Sequence, residues 1–271
     1  MLTMSGLLPF FALAAYLLAT GAVLVRLFHP KGPHFKLMFS AGIIGLVLHM
    51  LALTQTLFTP AGQNFSLINV SSLVCWLVTV AVTVTALRTP TILLLPVVYG
   101  FAALMQIATL LVPQDLQLLH FEHNISLLVH ITLAFLAYVV LTMATLYSFQ
   151  VSYISSKLKQ KDFTAVTQHL PPLMQAEAIQ FRLLMAGTVL LGAALLIGAV
   201  FIDNWLGKAN LHKTVLSALA FIVFVSLCWG HARKGWRGRT AITLTVIGTT
   251  LLTLAYFGSR FVKEVIIDRL S

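Results

Sequence analysis

Trp229-Gly230-His231-Ala232-Arg233-Lys234-Gly235-Trp236-Arg237-Gly238-Arg239 lies between two long apolar segments, about 211–230 and 240–262. Four cations, Arg233, Lys234, Arg237 and Arg239, fall within these residues with no acid among them. A basic knot between apolar runs marks a short loop on the inner face of a membrane, where cations meet anionic headgroups. His231, directly before the cations, then stands at the inner end of a membrane-spanning helix.

The rest of the chain agrees with that reading. Of its 271 residues 59% are hydrophobic and only 9% are charged, with a mean hydropathy of +0.96. Soluble domains carry roughly a quarter charged residues, and a soluble fold of this size could not hide so much apolar surface. A bilayer core takes roughly 20 apolar residues per helix. Eight segments qualify: about 6–28, 37–58, 66–87, 91–112, 125–150, 183–202, 211–230 and 240–262. Backbone polar groups must be satisfied inside lipid, and these runs are too long for barrel strands. The expected fold is all-α: one polytopic membrane helix bundle over residues 1–271, with about eight transmembrane helices.

With eight spans, one set of loops carries 12 of the 17 lysines and arginines and the other carries 5. The positive-inside rule places both termini outside. The formal charge of +10 falls in short clusters between apolar runs rather than along one surface, so it reads as topology and lipid contact, with no nucleic-acid partner. Cys75 and Cys228 both lie in apolar segments, which excludes a disulfide framework. Residues 1–28 lack a basic n-region and a cleavage site, so they read as a retained first helix. The chain has no HExxH, Walker loop, GxGxxG or GxSxG, and no buried pair of acids. We therefore expect no enzymatic activity.

Three local expectations follow. Pro96 should kink the fourth span near Tyr99-Gly100. The inner loop 153–180 should hold a short interfacial helix leading into the sixth span, because Leu173, Met174, Ala178, Ile179 and Phe181 recur at helical spacing. Gly42, Gly45, His49 and Ala52 share one face of the second span. That face serves either close helix packing or a flat, bulky cofactor beside His49. Gly187, Gly192, Ala194 and Gly198 thin the sixth span, where packing is the expected role.

The chain has nine histidines. His29, His34 and His169 fall in inner loops and read as surface residues. His120, His123 and His212 fall on the outer side, as solvated residues or accessory ligands. His49, His130 and His231 remain. An ionisable group deep in a span is a functional candidate by default, although a hydrogen bond between helices also explains His49. Neutral imidazole is a common axial ligand of haem iron. By helix rise, His49 lies ~13 Å and His130 ~8 Å below the outer surface, and His231 ~20 Å or more further in than His130. Depth alone pairs His49 with His130.

Several stretches, taken in order, resemble a known family. Phe65-Ser66-Leu67-Ile68-Asn69-Val70-Ser71-Ser72-Leu73-Val74-Cys75-Trp76 leads into a helix through Ser and Asn and reaches a Trp. Val129-His130 precedes the Tyr138 helix, and Leu170-Pro171-Pro172-Leu173, Glu177 and Phe181-Arg182 lead to Gly187. Trp229-Gly230-His231 precedes Gly235-Trp236-Arg237-Gly238, and Tyr256-Phe257-Gly258-Ser259 closes the pattern. Together they resemble the cytochrome c assembly superfamily of haem-handling membrane proteins, the relatives of CcsA, CcmC and HemX, over about 49–262. Within it they are similar to an uncharacterised bacterial inner-membrane branch.

The resemblance implies a cell inner-membrane protein binding b-type haem through histidines. His49 matches the first transmembrane histidine, His231 the second and His130 the first external one, so it favours the pair His49 and His231. It also implies partners among other membrane proteins of haem or cytochrome assembly. Two features depart from the family's haem exporters. The loop expected to hold a tryptophan-rich WWD motif reads Asp203-Asn204-Trp205-Leu206-Gly207-Lys208. Where a second external histidine should follow Gly258-Ser259, the chain reads Arg260-Phe261-Val262-Lys263. An accessory or regulatory role fits better than a full exporter. The alternative is a haem-free scaffold or transporter subunit that kept the fold.

Overall fold

The computed structural model describes residues 4–26, 32–59, 62–89, 91–112, 118–119, 125–161, 171–201, 211–258 and 261. The elements run α1 (Met4–Leu24), α2 (Phe35–Leu57), β1 (Phe58–Thr59), β2 (Gly62–Asn64), α3 (Leu67–Ala86), α4 (Leu95–Leu111), β3 (Leu118–Leu119), α5 (Ile125–Lys159), α6 (Leu173–Phe201), α7 (Leu211–Lys234) and α8 (Arg239–Thr253). A 3-10 turn, Ile92–Leu94, precedes α4, and a π turn, Leu254–Gly258, follows α8. Counting those turns with their helices, all eight spans are long and apolar enough to cross a bilayer. The chain is a polytopic helical membrane protein.

Local chemistry sets the helix ends. The Ser66 hydroxyl accepts from the Asn69 amide at 3.4 Å and caps α3. Pro96 sits in the first turn of α4, so the expected kink near Tyr99-Gly100 gives way to a helix start. There the missing N–H has no carbonyl to bond and the fixed φ suits the helix. The interfacial-helix expectation is also corrected. Residues 173–201 form one continuous helix, because neither glycine nor proline interrupts them before Gly187. α5 runs nine residues past the expected end, to Lys159, with Lys157 and Lys159 in its last turn. Cations there complement the helix dipole. Residues 162–170 of that loop lie outside the described residues.

A small antiparallel sheet, absent from the sequence reading, joins β1, β2 and β3 in that order. Phe58 pairs with Gln63, Thr59 with Gly62, Gln63 with Leu119 and Asn64 with Leu118. Two-residue and three-residue strands carry no readable alternation, which is why periodicity missed them.

The chain packs as two compact units: Met1–His120 with Lys157–Pro171, and Phe121–Ser156 with Pro172–Ser271. In the first, α1 lies against α2 and α4, and α3 against α4 and α2, so the four helices close a ring. Tyr16, Met38, Leu95 and Tyr99 fill its interior. In the second, α7 packs on α6 and α8. α5 reaches α6 where Leu141 meets Gly187, and α8 where Thr145 bonds Thr249 at 2.7 Å. The interior there holds Leu141, Leu184, Phe224 and Leu227. Outward, α6 presents Val189, Leu196 and Val200, each about 70% exposed as a lipid-facing stripe. Apolar packing cannot drive association between helices in lipid, so close approach and hydrogen bonds must. Gly187, Gly192 and Gly198 supply the approach, facing Leu141, Phe221 and His130.

Candidate functional site

His49 is fully buried in the first unit. Its Nδ1 lies 3.2 Å from the Tyr16 hydroxyl of α1, and its Nε2 lies 2.8 Å from the Ser72 hydroxyl of α3. One ring nitrogen donates and the other accepts, so His49 ties three helices together. Tyr16 stands edge-on to the His49 ring and stacks on Tyr99 at 6.0 Å. The Tyr99 hydroxyl lies 3.1 Å from that of Thr83.

The two readings of the glycine face separate here. A Cβ at Gly45 would stand 2.8 Å from the Tyr16 ring, and one at Gly42 would overlap the Tyr99 hydroxyl and ring. Tyrosines occupy the room that glycine leaves. The 65–76 stretch serves the same junction. The Asn69 amide donates to the carbonyls of Thr56 and Asn64, at 3.2 and 3.0 Å. Trp76 Nε1 donates to the Leu46 carbonyl at 2.9 Å.

His130 and His231 lie in the second unit and are built to a different pattern. His130 Nδ1 donates to the Ala194 carbonyl at 2.8 Å. Its ring sits where Gly198 has no side chain, since a Cβ there would come within 2.8 Å of Cε1. His231 Nδ1 donates to the Trp236 carbonyl at 2.9 Å. Its ring lies flat on Phe181, with centroids 3.4 Å apart and planes 12° apart.

A carbonyl only accepts, so both Nδ1 atoms carry the proton and both Nε2 atoms keep the lone pair. Neither Nε2 has a partner among the described residues. Backbone carbonyls bonded to the other ring nitrogen orient metal-binding histidines in this way. Each ring therefore leaves one nitrogen that could hold a metal. The two rings do not meet at one site. They seat on α6 at Ala194 and at Phe181, thirteen residues and ~20 Å apart along the helix. His49 in this arrangement offers no open nitrogen.

Tyr138 turns to α8, its hydroxyl 2.9 Å from that of Thr253. His34 and His212 are exposed at the starts of α2 and α7. His34 lines a concavity of about 410 Å³ together with Arg26 and Lys36. His29, His120, His123 and His169, the loop at 203–208, and Arg260 and Lys263 lie outside the described residues.

Sequence reasoning missed the partners rather than the histidines. Tyr16 and Tyr99 carried a readable signal, a phenol in the middle of an apolar span that needs a bond. Phe181 and the Trp236 carbonyl carried none, because stacking and backbone acceptance leave no mark on residue type.

Residues 37–267 match the family described as cytochrome C assembly protein. The chain belongs to that family. It is 37% identical over 257 residues to the inner membrane protein YpjD of Escherichia coli strain K12, covering 94% of this chain and 97% of that one. It is 40% identical over 141 residues to an uncharacterised 28.8 kDa protein of Azospirillum brasilense, covering 51% of this chain and 52% of that one. No solved structure matches.

Proposed function

We propose that this protein is a multi-pass protein of the bacterial inner membrane that handles haem, in an accessory or regulatory role beside cytochrome assembly. Family membership over most of the chain supports the setting, and the name of the Escherichia coli relative supports the location. One observation supports the cofactor: the His231 ring is fixed by Phe181 and the Trp236 carbonyl, and its Nε2 has no partner among the described residues. His231 would be the first residue to hold the iron and His130 the second. His49 joins them only by releasing Tyr16 or Ser72, so we assign it first to holding α1, α2 and α3 together.

Bound b-type haem would supply a redox-active iron. The chain's own residues bind and orient: Phe181 sets the plane of the His231 ring, and Trp236 sets its tautomer. In this reading the protein performs no covalent chemistry. The test is the purified protein from cells supplied with a haem precursor, read by pyridine haemochrome. We expect a b-type spectrum whose Soret band falls in His231→Ala. Full Soret intensity after His49→Ala, His130→Ala and His231→Ala together would end the proposal.

The sealed state of His49 favours a second reading, a haem-free scaffold or transporter subunit that kept the fold. It predicts colourless, folded protein under the same conditions, with stability set by a co-purifying membrane partner.

A further inference from the structure

We infer that the loop joining α7 to α8 is a defined binding site for the anionic headgroup of a phospholipid, and not merely a diffuse positive charge. The inference is independent of haem.

The loop has one built shape. α7 ends in a left-handed cap at Gly235, φ +66°, whose amide donates to the His231 carbonyl at 3.1 Å. Such caps favour glycine because no Cβ crowds them. The Trp236 amide donates back to the Gly230 carbonyl at 3.2 Å, and the Trp236 ring packs on Gly230, where a Cβ would overlap it. Gly238, φ +59°, turns the chain into α8, and its carbonyl accepts from the Ile242 amide at 3.0 Å. With His231 bonded to the Trp236 carbonyl, the loop is tied at both ends.

That frame seats one of its cations against two rings. Lys234 Nζ sits 5.8 Å from the centroids of both the Trp229 and the Trp236 rings. Arg233, Arg237 and Arg239 are exposed beside it. Arg233 and Lys234 lie in the last turn of α7, where the dipole welcomes them. Arg239 opens α8, where the dipole repels it. None of the four has an ion pair with a carboxylate among the described residues. Like charges gathered in a fixed loop without a counter-charge call for an anion.

The anion is a headgroup because of where the loop lies. It joins two membrane spans, and the Trp229 ring is 59% exposed beside Lys234. An exposed indole at a span end belongs at the level of lipid headgroups. Guanidiniums that hydrogen-bond a phosphodiester in pairs give it geometry as well as charge.

The test uses the full chain with Trp76→Phe and Trp205→Phe, so that Trp229 and Trp236 report alone. The protein is placed in phosphatidylcholine vesicles containing brominated phosphatidylglycerol or brominated phosphatidylcholine as quencher. We expect the anionic quencher to act at about thirtyfold lower mole fraction, on the scale of two lipid-facing cations. Arg237→Gln with Arg239→Gln should abolish that preference, while Lys159→Gln with Lys161→Gln should keep it. Equal quenching by both lipids would overturn the inference. So would equal loss in both double variants, which means diffuse attraction. So would loss of the preference on adding inorganic phosphate at constant ionic strength, which means a free-anion site. If the Trp76→Phe chain does not fold, the same comparison is made with Trp76 present, since its ring adds the same background to both arms.

Discussion

The two units use their intramembrane histidines in opposite ways. Each unit is built from four long helices, and each holds histidine against a neighbouring helix. In the first, His49 is saturated: Tyr16 takes one ring nitrogen, Ser72 the other, and tyrosine rings cover the glycines beside it. In the second, His130 and His231 are held, among the described residues, by one nitrogen only, through a backbone carbonyl. A histidine bonded at both nitrogens is a structural pin. One bonded at Nδ1 alone is oriented for a ligand. Burial alone would have ranked His49 first, whereas the bonding pattern puts His231 first.

The contrast can be broken most forcefully at the glycines of α2. Gly42→Leu places a branched side chain inside the Tyr99 ring. It should destabilise the protein by about 3 kcal/mol or more, the upper end of overpacking costs, read as a lowered denaturation midpoint in mild detergent. A change within error would mean that Tyr99 does not fill that face.

His49→Leu comes next. It leaves the buried hydroxyls of Tyr16 and Ser72 without the imidazole, and an orphaned hydroxyl costs about 1–3 kcal/mol. Adding Tyr16→Phe and Ser72→Ala to His49→Leu should recover most of the loss, because the orphans are then gone. If the triple variant is weaker than the single one, His49 is not a hydrogen-bonding pin.

In the second unit the effects should be smaller for stability. Gly198→Ala pushes the His130 ring off its seat and removes its bond to Ala194, worth about 1 kcal/mol. The denaturation midpoint of this variant, compared with that of His130→Ala, checks whether the loss runs through the ring. Tyr138→Phe removes a single interhelical bond to Thr253 and should cost only about 0.6 kcal/mol, the usual size of such bonds in membranes. A larger loss would make the junction of α5 and α8 more than an ordinary contact.

The spans were legible from the sequence because lipid demands long apolar helices and little else. Segment 6–28 became α1 and 37–58 became α2 with few changes. Errors came where a local rule competed with the span rule. Pro96 reads as a kink inside a span and acts as a start, since the helix begins one residue before it. Segment 153–180 reads as a loop by polarity, yet Tyr153-Ile154-Ser155-Ser156-Lys157-Leu158-Lys159 continues α5. Of the three histidines singled out, sequence gave the positions but not the bonding state. The difference between pin and ligand rests on residues 33, 23, 64 and 5 positions away in the chain. Three of these separations lie beyond any local pattern, and the fourth runs to a backbone carbonyl that residue type does not mark.

The central claim is that His231, held by Phe181 and Trp236, is the residue that takes the haem iron while His49 holds helices. The most direct test is the reduced-minus-oxidised spectrum of the purified protein beside His231→Ala and the triple variant His49→Leu, Tyr16→Phe, Ser72→Ala. The account predicts a b-type signal in the parent, its loss in His231→Ala, and its retention in the triple variant. A signal kept by His231→Ala and lost from a folded triple variant would reverse the two roles.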